Sequence, residues 1–166
     1  FAPVIAPYSP SEVDVENKLS LPTWKHPMGG DNFGRDVFSR LLYGGRFSLY
    51  VAFLSIVIGL AVGVPLGAIA GYYLGILETA IMRTMDALLS FPWLLLAIVF
   101  VVITGRNVTN AAVAIGIIMI PQFARITRSV VLDQKSEDYV QAARCLGSSN
   151  QKILFTEILP NSLAPI

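Results

Sequence analysis

The chain has 166 residues, of which 54% are hydrophobic and 14% charged, and its 12 Lys and Arg against 11 Asp and Glu leave a net charge of +1. A mean hydropathy of +0.64, with charged residues far below the quarter usual in soluble domains, reads as a membrane protein. The even charge points to no nucleic-acid or acidic partner, the single Cys145 excludes an internal disulfide framework, and no basic segment precedes an apolar run as in a signal peptide.

In chain order, residues 1–8 are apolar but too short to span a bilayer, and Tyr8 suits a membrane interface. They read as the end of a truncated first transmembrane helix. Residues 9–46 read as a loop outside the lipid, because Ser9 to Asp31 is rich in Pro, Ser, Glu, Asp, Asn and Lys without a lasting period. Within it, Val37, Phe38, Leu41 and Leu42 fall on one helical face and Asp36, Ser39, Arg40 and Tyr43 on the other. The spacing predicts a short amphipathic helix, lying at the interface or packed on the rest of the protein. His26 has no carboxylate or Cys at metal-ligand spacing and reads as a loop residue.

Residues 47–166 read as the membrane core. No charge occurs from Phe47 to Leu77, and a helix over residues 47–73 would be about 40 Å long, enough to cross about 30 Å of hydrocarbon with tilt. Along it Ser55, Gly59, Gly63, Gly67, Gly71 and Gly75 recur every fourth residue. Such a stripe of small side chains lets another helix approach closely, so a tight helix–helix seam is expected. Pro65 is expected to kink this segment.

Glu78, Arg83 and Asp86 mark a polar crossing, with Arg83 and Asp86 spaced to pair on one helix. Residues 87–105 and 107–124 are uncharged and read as two further spans joined by a tight turn at Arg106 and Asn107. Arg125 and Arg128 then lie on the same side as Glu78 to Asp86. Counting Lys and Arg does not orient the chain, since six fall on each side.

Residues 138–161 are a polar, helix-forming insertion. Asp138 with Gln141, and Ser148 with Gln151, stand in capping-box spacing on either side of Gly147, which predicts helix, sharp turn, helix. A DNA-reading helix-turn-helix has a similar outline. From Tyr139 to Asn161, however, Arg144, Lys152 and Glu157 sum to one positive charge, too little to neutralise several phosphates. The chain ends on an apolar run, with residues 162–166 expected to begin another span, so it reads as a fragment.

Catalytic constellations are missing from the sequence. No Gly-Lys pair forms a P-loop, and one His with one Cys supplies neither a zinc site nor a Cys-His nucleophile. The spans hold no carboxylate at mid-depth of the kind a proton relay needs. What remains is a helical membrane body with a docking element.

Gln141-Ala142-Ala143, three residues, Gly147, and then Leu159-Pro160 resemble the EAA loop of permease subunits in bacterial binding-protein-dependent ABC importers. Gln141 stands where Glu is usual, and Ile158 falls one place after its usual slot. A second block, His26-Pro27-Met28-Gly29-Gly30-Asp31 through Gly34-Arg35-Asp36, is similar to the dipeptide, oligopeptide and nickel permease subfamily, as are Gly71-Tyr72-Tyr73 and Met85-Asp86 through Ser90-Phe91-Pro92.

The resemblance implies an all-α polytopic fold: a fragment of a six-helix permease whose coupling loop lies in the cytoplasm, with residues 9–46 on the opposite side. It implies a multi-pass subunit of the bacterial inner membrane that forms the translocation path for peptides, glutathione or nickel complexes and is not itself an enzyme. It implies docking of a separate ATPase through Gln141, Ala142, Ala143, Arg144, Leu146, Gly147, Ser148, Asn150, Leu159 and Pro160. ATP and Mg would sit on that ATPase, with no cofactor or metal in this chain. The further partners implied are a second permease subunit, an extracytoplasmic substrate-binding protein and membrane lipid. A membrane scaffold or channel whose helices dock a non-ATPase protein is the alternative reading.

Overall fold

The computed structural model describes residues 2–164, and these are all-helical: no strand occurs among them beyond one isolated antiparallel bridge between Gly30 and Asp36. Phe1, in the expected first-helix remnant, and residues 165–166, in the expected next span, lie outside the described residues. The chain divides into two compact units, Phe1–Ala52 and Phe53–Ile166.

In the first unit, helix α1 covers only Ala2–Ile5, and the loop after it is tightly built. Gly29 and Gly34 take positive φ values of 70° and 80°, and both lie so near the backbone oxygens of Ser20 and Asp14 that a Cβ would not fit. Asp31 accepts hydrogen bonds from the Phe33 amide at 2.8 Å and the Arg35 amide at 3.0 Å, and pairs with the Arg35 and Arg40 guanidiniums. Partial desolvation alone would raise its pKa, but these bonds outweigh it and hold the carboxyl well below the usual range. His26 Nδ1 lies 3.0 Å from Asp36 Oδ1 while the Tyr8 ring stacks on the imidazole at 4.7 Å. The other oxygen of Asp36 accepts the Ser39 amide at 2.7 Å. This is an N-cap for helix α2, which spans Val37–Tyr73.

The expected separate amphipathic helix at Asp36 to Tyr43 is therefore corrected: those residues are the cap and opening turns of α2. Gly44 and Gly45 carry no break, because each costs only about 1 kcal/mol in a helix whose flanks favour continuation. Helix α2 also runs on through Pro65 as one element.

The second expected span is redrawn more strongly. Helix α3, Gly75–Ser90, and helix α4, Trp93–Thr104, are separated by Phe91 and Pro92 and bent by 87°. Phe91 is extended, at φ −82° and ψ 138°, as the residue before proline tends to be, and Pro92 cannot donate the next helical bond. Helix α4 alone, about 18 Å long, would not cross a bilayer. Among the described residues, two helices, α2 and Val108–Gln134 (α5), are long and apolar enough to span, or three if the bent pair counts as one span.

A turn at Gly105, with φ 101°, leads into α5. The Asn107 side chain caps the Thr109 amide, and the Asn110 side-chain Nδ2 donates to the carbonyls of Thr104 and Gly105. Instead of stopping near Ala124, α5 continues past Arg125 and Arg128, because both find partners on α3. Arg125 reaches Asp86 at 2.9 Å and Arg128 reaches Glu78 with Nε at 2.7 Å. The expected pair between Arg83 and Asp86 is replaced by these links between facing helices. They also place the C-terminal half of α5 beside α3, the side on which the polar insertion begins.

Helices α2 and α5 run in the same direction. Their register advances together, from Ser55 against Ala112, through Gly63 against Ile120, to Gly71 against Val131.

Candidate functional site

The polar insertion folds as four short helical pieces, with one turn after the first. Helix α6 covers Asp138–Cys145, α7 covers Asn150–Lys152, a π-helical stretch follows over Ile153–Ile158, and α8 covers Leu159–Asn161. The expected helix, turn, helix is present with its caps displaced by one residue. Glu137, not Asp138, sits at the first N-cap and uses no side-chain bond, while Asp138 lies in the first turn. Ser149, not Ser148, caps the second helix by accepting the Lys152 amide at 3.4 Å.

Ser148 is engaged elsewhere. Its amide donates to Ala143 O at 3.0 Å and the Gly147 amide donates to Arg144 O at 2.9 Å, the two bonds of a Schellman closure. Gly147 takes the left-handed φ of 80° that this closure requires, and a Cβ at this position would meet nothing within 4 Å. The turn is thus fixed by the glycine's backbone and stays sterically open.

Proline explains the π-helical stretch. Pro160 lacks an amide hydrogen and its ring would clash with the carbonyl four residues back, so the helix widens ahead of it. Leu159 accordingly donates to Leu154 O, five residues back.

One face of this assembly is buried. Val140, Ile153, Leu154 and Ile158 form a single apolar cluster with Ala68 and Tyr72 of α2 and Val131 of α5, and Tyr139, Ala143 and Leu159 pack around it. The opposite face is open: Gln141, Ala142, Arg144, Gly147, Asn150 and Pro160 are exposed, Ser148 is half-buried, and Leu146 is 86% exposed at the tip. Phe155, also exposed, was not singled out from the sequence; its helical position after the turn was the available signal. An apolar tip held on a buried base can bury Leu146 against another protein.

The stripe on α2 faces α5. Ser55 donates to Ala112 O at 2.8 Å. A Cβ on Gly59 would meet the Phe123 ring at 2.9 Å, one on Gly63 the Ile120 carbonyl oxygen at 2.7 Å, one on Gly67 the Ala124 carbonyl, and one on Gly71 the Arg128 carbonyl oxygen at 2.8 Å. Gly116 of α5 repeats the arrangement in reverse against Ile58. Gly75 departs from the expected stripe: it has open space around it and a φ of 70°, and serves the turn after α2.

Sequence periodicity missed the joint between stripe and insertion. Tyr72 is 4% exposed on the last turn of α2, its hydroxyl donates to Asn150 Oδ1 at 2.8 Å, and its carbonyl accepts Lys135 Nζ at 2.6 Å. Burial, together with the nearby Arg144 charge, pushes the Lys135 ammonium below its ordinary pKa. The signal lay in Gly71-Tyr72-Tyr73, a block whose letters repeat no helical period. Among the described residues, no three His, Cys, Asp or Glu side chains converge as a metal site would require.

Residues 63–166 match the family described as "Binding-protein-dependent transport system inner membrane component". The chain is 44% identical, over its whole length and 55% of the relative's, to the dipeptide transport system permease protein DppC of Alkalihalophilus pseudofirmus. It is 40% identical to the di/tripeptide transport system permease protein DppC of Pseudomonas aeruginosa, across 100% of this chain and 57% of that one. It is likewise 40% identical to the glutathione transport system permease protein GsiD of Pectobacterium atrosepticum, across 100% of this chain and 56% of that one. The chain therefore spans a little over half the length of the curated relatives it matches.

Proposed function

The chain belongs to the family of binding-protein-dependent transport system inner membrane components, and from that premise we propose that it serves as a membrane-spanning subunit of an ATP-driven importer of small peptides. Residues 138–161 dock on a separate ATPase subunit. A second permease subunit completes the path, and an extracytoplasmic binding protein delivers the substrate. ATP and Mg act on the ATPase, and this chain contributes no catalytic step.

The observation that carries this reading is the two-sided build of the insertion. Its inner face is buried on α2 and α5, and its outer face presents Leu146 at 86% exposure on a turn closed by Gly147. A part that passes motion onward must grip at one face and be fixed at the other. When ATP closes the ATPase pair, the docked turn moves with it, and the buried face carries α2 and α5 along. Peptide substrates are supported by the names of the relatives, which transport dipeptides, di/tripeptides and glutathione.

The test uses the full-length subunit purified with its native neighbours. Co-purification of an ATP-binding protein, and loss of labelled dipeptide uptake in a deletion strain restored by the intact gene, are the expected results. A purified complex without an ATP-binding protein would instead favour a scaffold or channel.

A further inference from the structure

The geometry points to Tyr72 and Lys135 as the joint that transmits motion between the docking loop and the membrane helices, so that both are positioning residues for coupling. This inference rests on the ATPase-docking reading.

Four elements meet at Tyr72, and each is tied to it by a different interaction. Its own helix, α2, ends one residue later, leaving its last carbonyls without helical partners. Lys135 answers one of them by donating Nζ to Tyr72 O at 2.6 Å, bringing a cation to the negative end of the helix dipole. Lys135 is itself the cap of α5, its amide donating to Val131 O at 3.0 Å. One side chain thus ties the ends of the two parallel helices that the glycine stripe holds together.

The loop is gripped by the other end of the tyrosine. The phenol donates to Asn150 Oδ1 at 2.8 Å, between residues 78 apart in sequence. Asn150 opens α7, directly after the Ser149 cap and three residues beyond Gly147. From the α6 side, the Arg144 guanidinium carbon lies 5.9 Å from the Tyr72 ring centre, and Lys135 Nζ lies 5.2 Å from it. Both are within cation–π range.

The apolar cluster alone would allow the loop to slide, because dispersion and burial have no preferred direction. The hydrogen bond and the lysine clamp do have direction. They fix the rotation of α7 about α2, which is the degree of freedom a docked lever would otherwise waste.

The experiment measures peptide taken up per ATP hydrolysed by the assembled transporter in proteoliposomes, using the full-length subunit with Tyr72→Phe or Lys135→Met. Phenylalanine keeps the ring and its packing and removes one hydrogen bond. Each variant is expected to retain its ATPase subunits and basal hydrolysis while uptake per ATP falls by about five-fold, the factor that one lost hydrogen bond represents. A merely structural role would lower assembly and thermal stability and leave that ratio unchanged in the complexes that form.

A wild-type ratio in both variants overturns the joint while leaving the importer reading intact. Loss of the ATPase subunits from Tyr72→Phe also overturns it, since the residue would then act in assembly. If the wild-type complex itself shows no ATP-dependent uptake, the importer reading fails and the joint falls with it.

Discussion

Gly147 bears on the polar insertion through its backbone alone. Its φ of 80° lies in the left-handed region, and the space around its missing Cβ is empty. A side chain there meets conformational strain and no clash. Gly147→Val should therefore cost roughly 1 kcal/mol, more than an unbranched residue would, and open the Ser148 to Ala143 bond. Gly147→Asn should lose less, because asparagine tolerates this region better than other residues. Thermal unfolding of the full-length subunit in detergent measures the difference, and on the proposed function co-purification of an ATP-binding protein reports whether the turn docks. An equal loss for Val and Asn would show that volume matters at the turn. The sequence made this glycine legible because a helix terminator needs no tertiary information. The second cap was one residue off for the converse reason: Ser148 and Ser149 both suit a helix start, and the choice between them follows from the Schellman bonds, which depend on where α6 ends.

At the scale of the helices, the glycine stripe was legible in register but not in partner. Four-residue spacing states that one face of α2 is bare, and only the fold says that α5 fills it. The carbonyl contacts then make a definite prediction. At Gly63 a Cβ would lie 2.7 Å from both the Ile120 oxygen and the Phe123 Cβ, so Gly63→Leu must push the helices apart along several residues. Overpacking of this kind costs about 1–3 kcal/mol, and here the obstacle is backbone, which cannot change rotamer. A lower midpoint of thermal unfolding in detergent, with membrane insertion unchanged, is expected. Gly75→Ala offers the contrast within the same stripe: it meets no neighbour, and any loss there comes from its φ of 70° alone. The bent α3 and α4 pair was the least legible element. A run of 19 uncharged residues over 87–105 fits one span by length, and the weight of Phe91-Pro92 emerges only when α3 is seen to begin at Gly75, upstream of three charges that length alone places outside the helix.

Across the second unit, the charges that looked like boundary markers act as cross-links. Glu78 and Arg128 lie 50 residues apart and pair between α3 and α5, with Arg125 and Asp86 repeating the link about two turns along α3. Neither partner was identifiable from sequence, because Arg83 stands closer to Asp86 in the chain and has the right helical spacing. The two links differ in environment. The Arg125 and Asp86 side chains are 58% and 52% exposed, against 31% and 20% for Arg128 and Glu78, so solvent screens the first pair more and the second carries more of the connection. Reversing one member, by Glu78→Arg, sets two guanidiniums against each other and should destabilise the unit by about 1 kcal/mol. Adding Arg128→Glu restores opposite charges in swapped places and should recover most of that loss. The measurement is a double-mutant cycle on thermal stability in detergent at low and high salt. Recovery that shrinks as salt rises supports a direct charge link between α3 and α5. Additive losses at both salt concentrations would show that each residue acts alone, leaving helix packing to hold α3 in place.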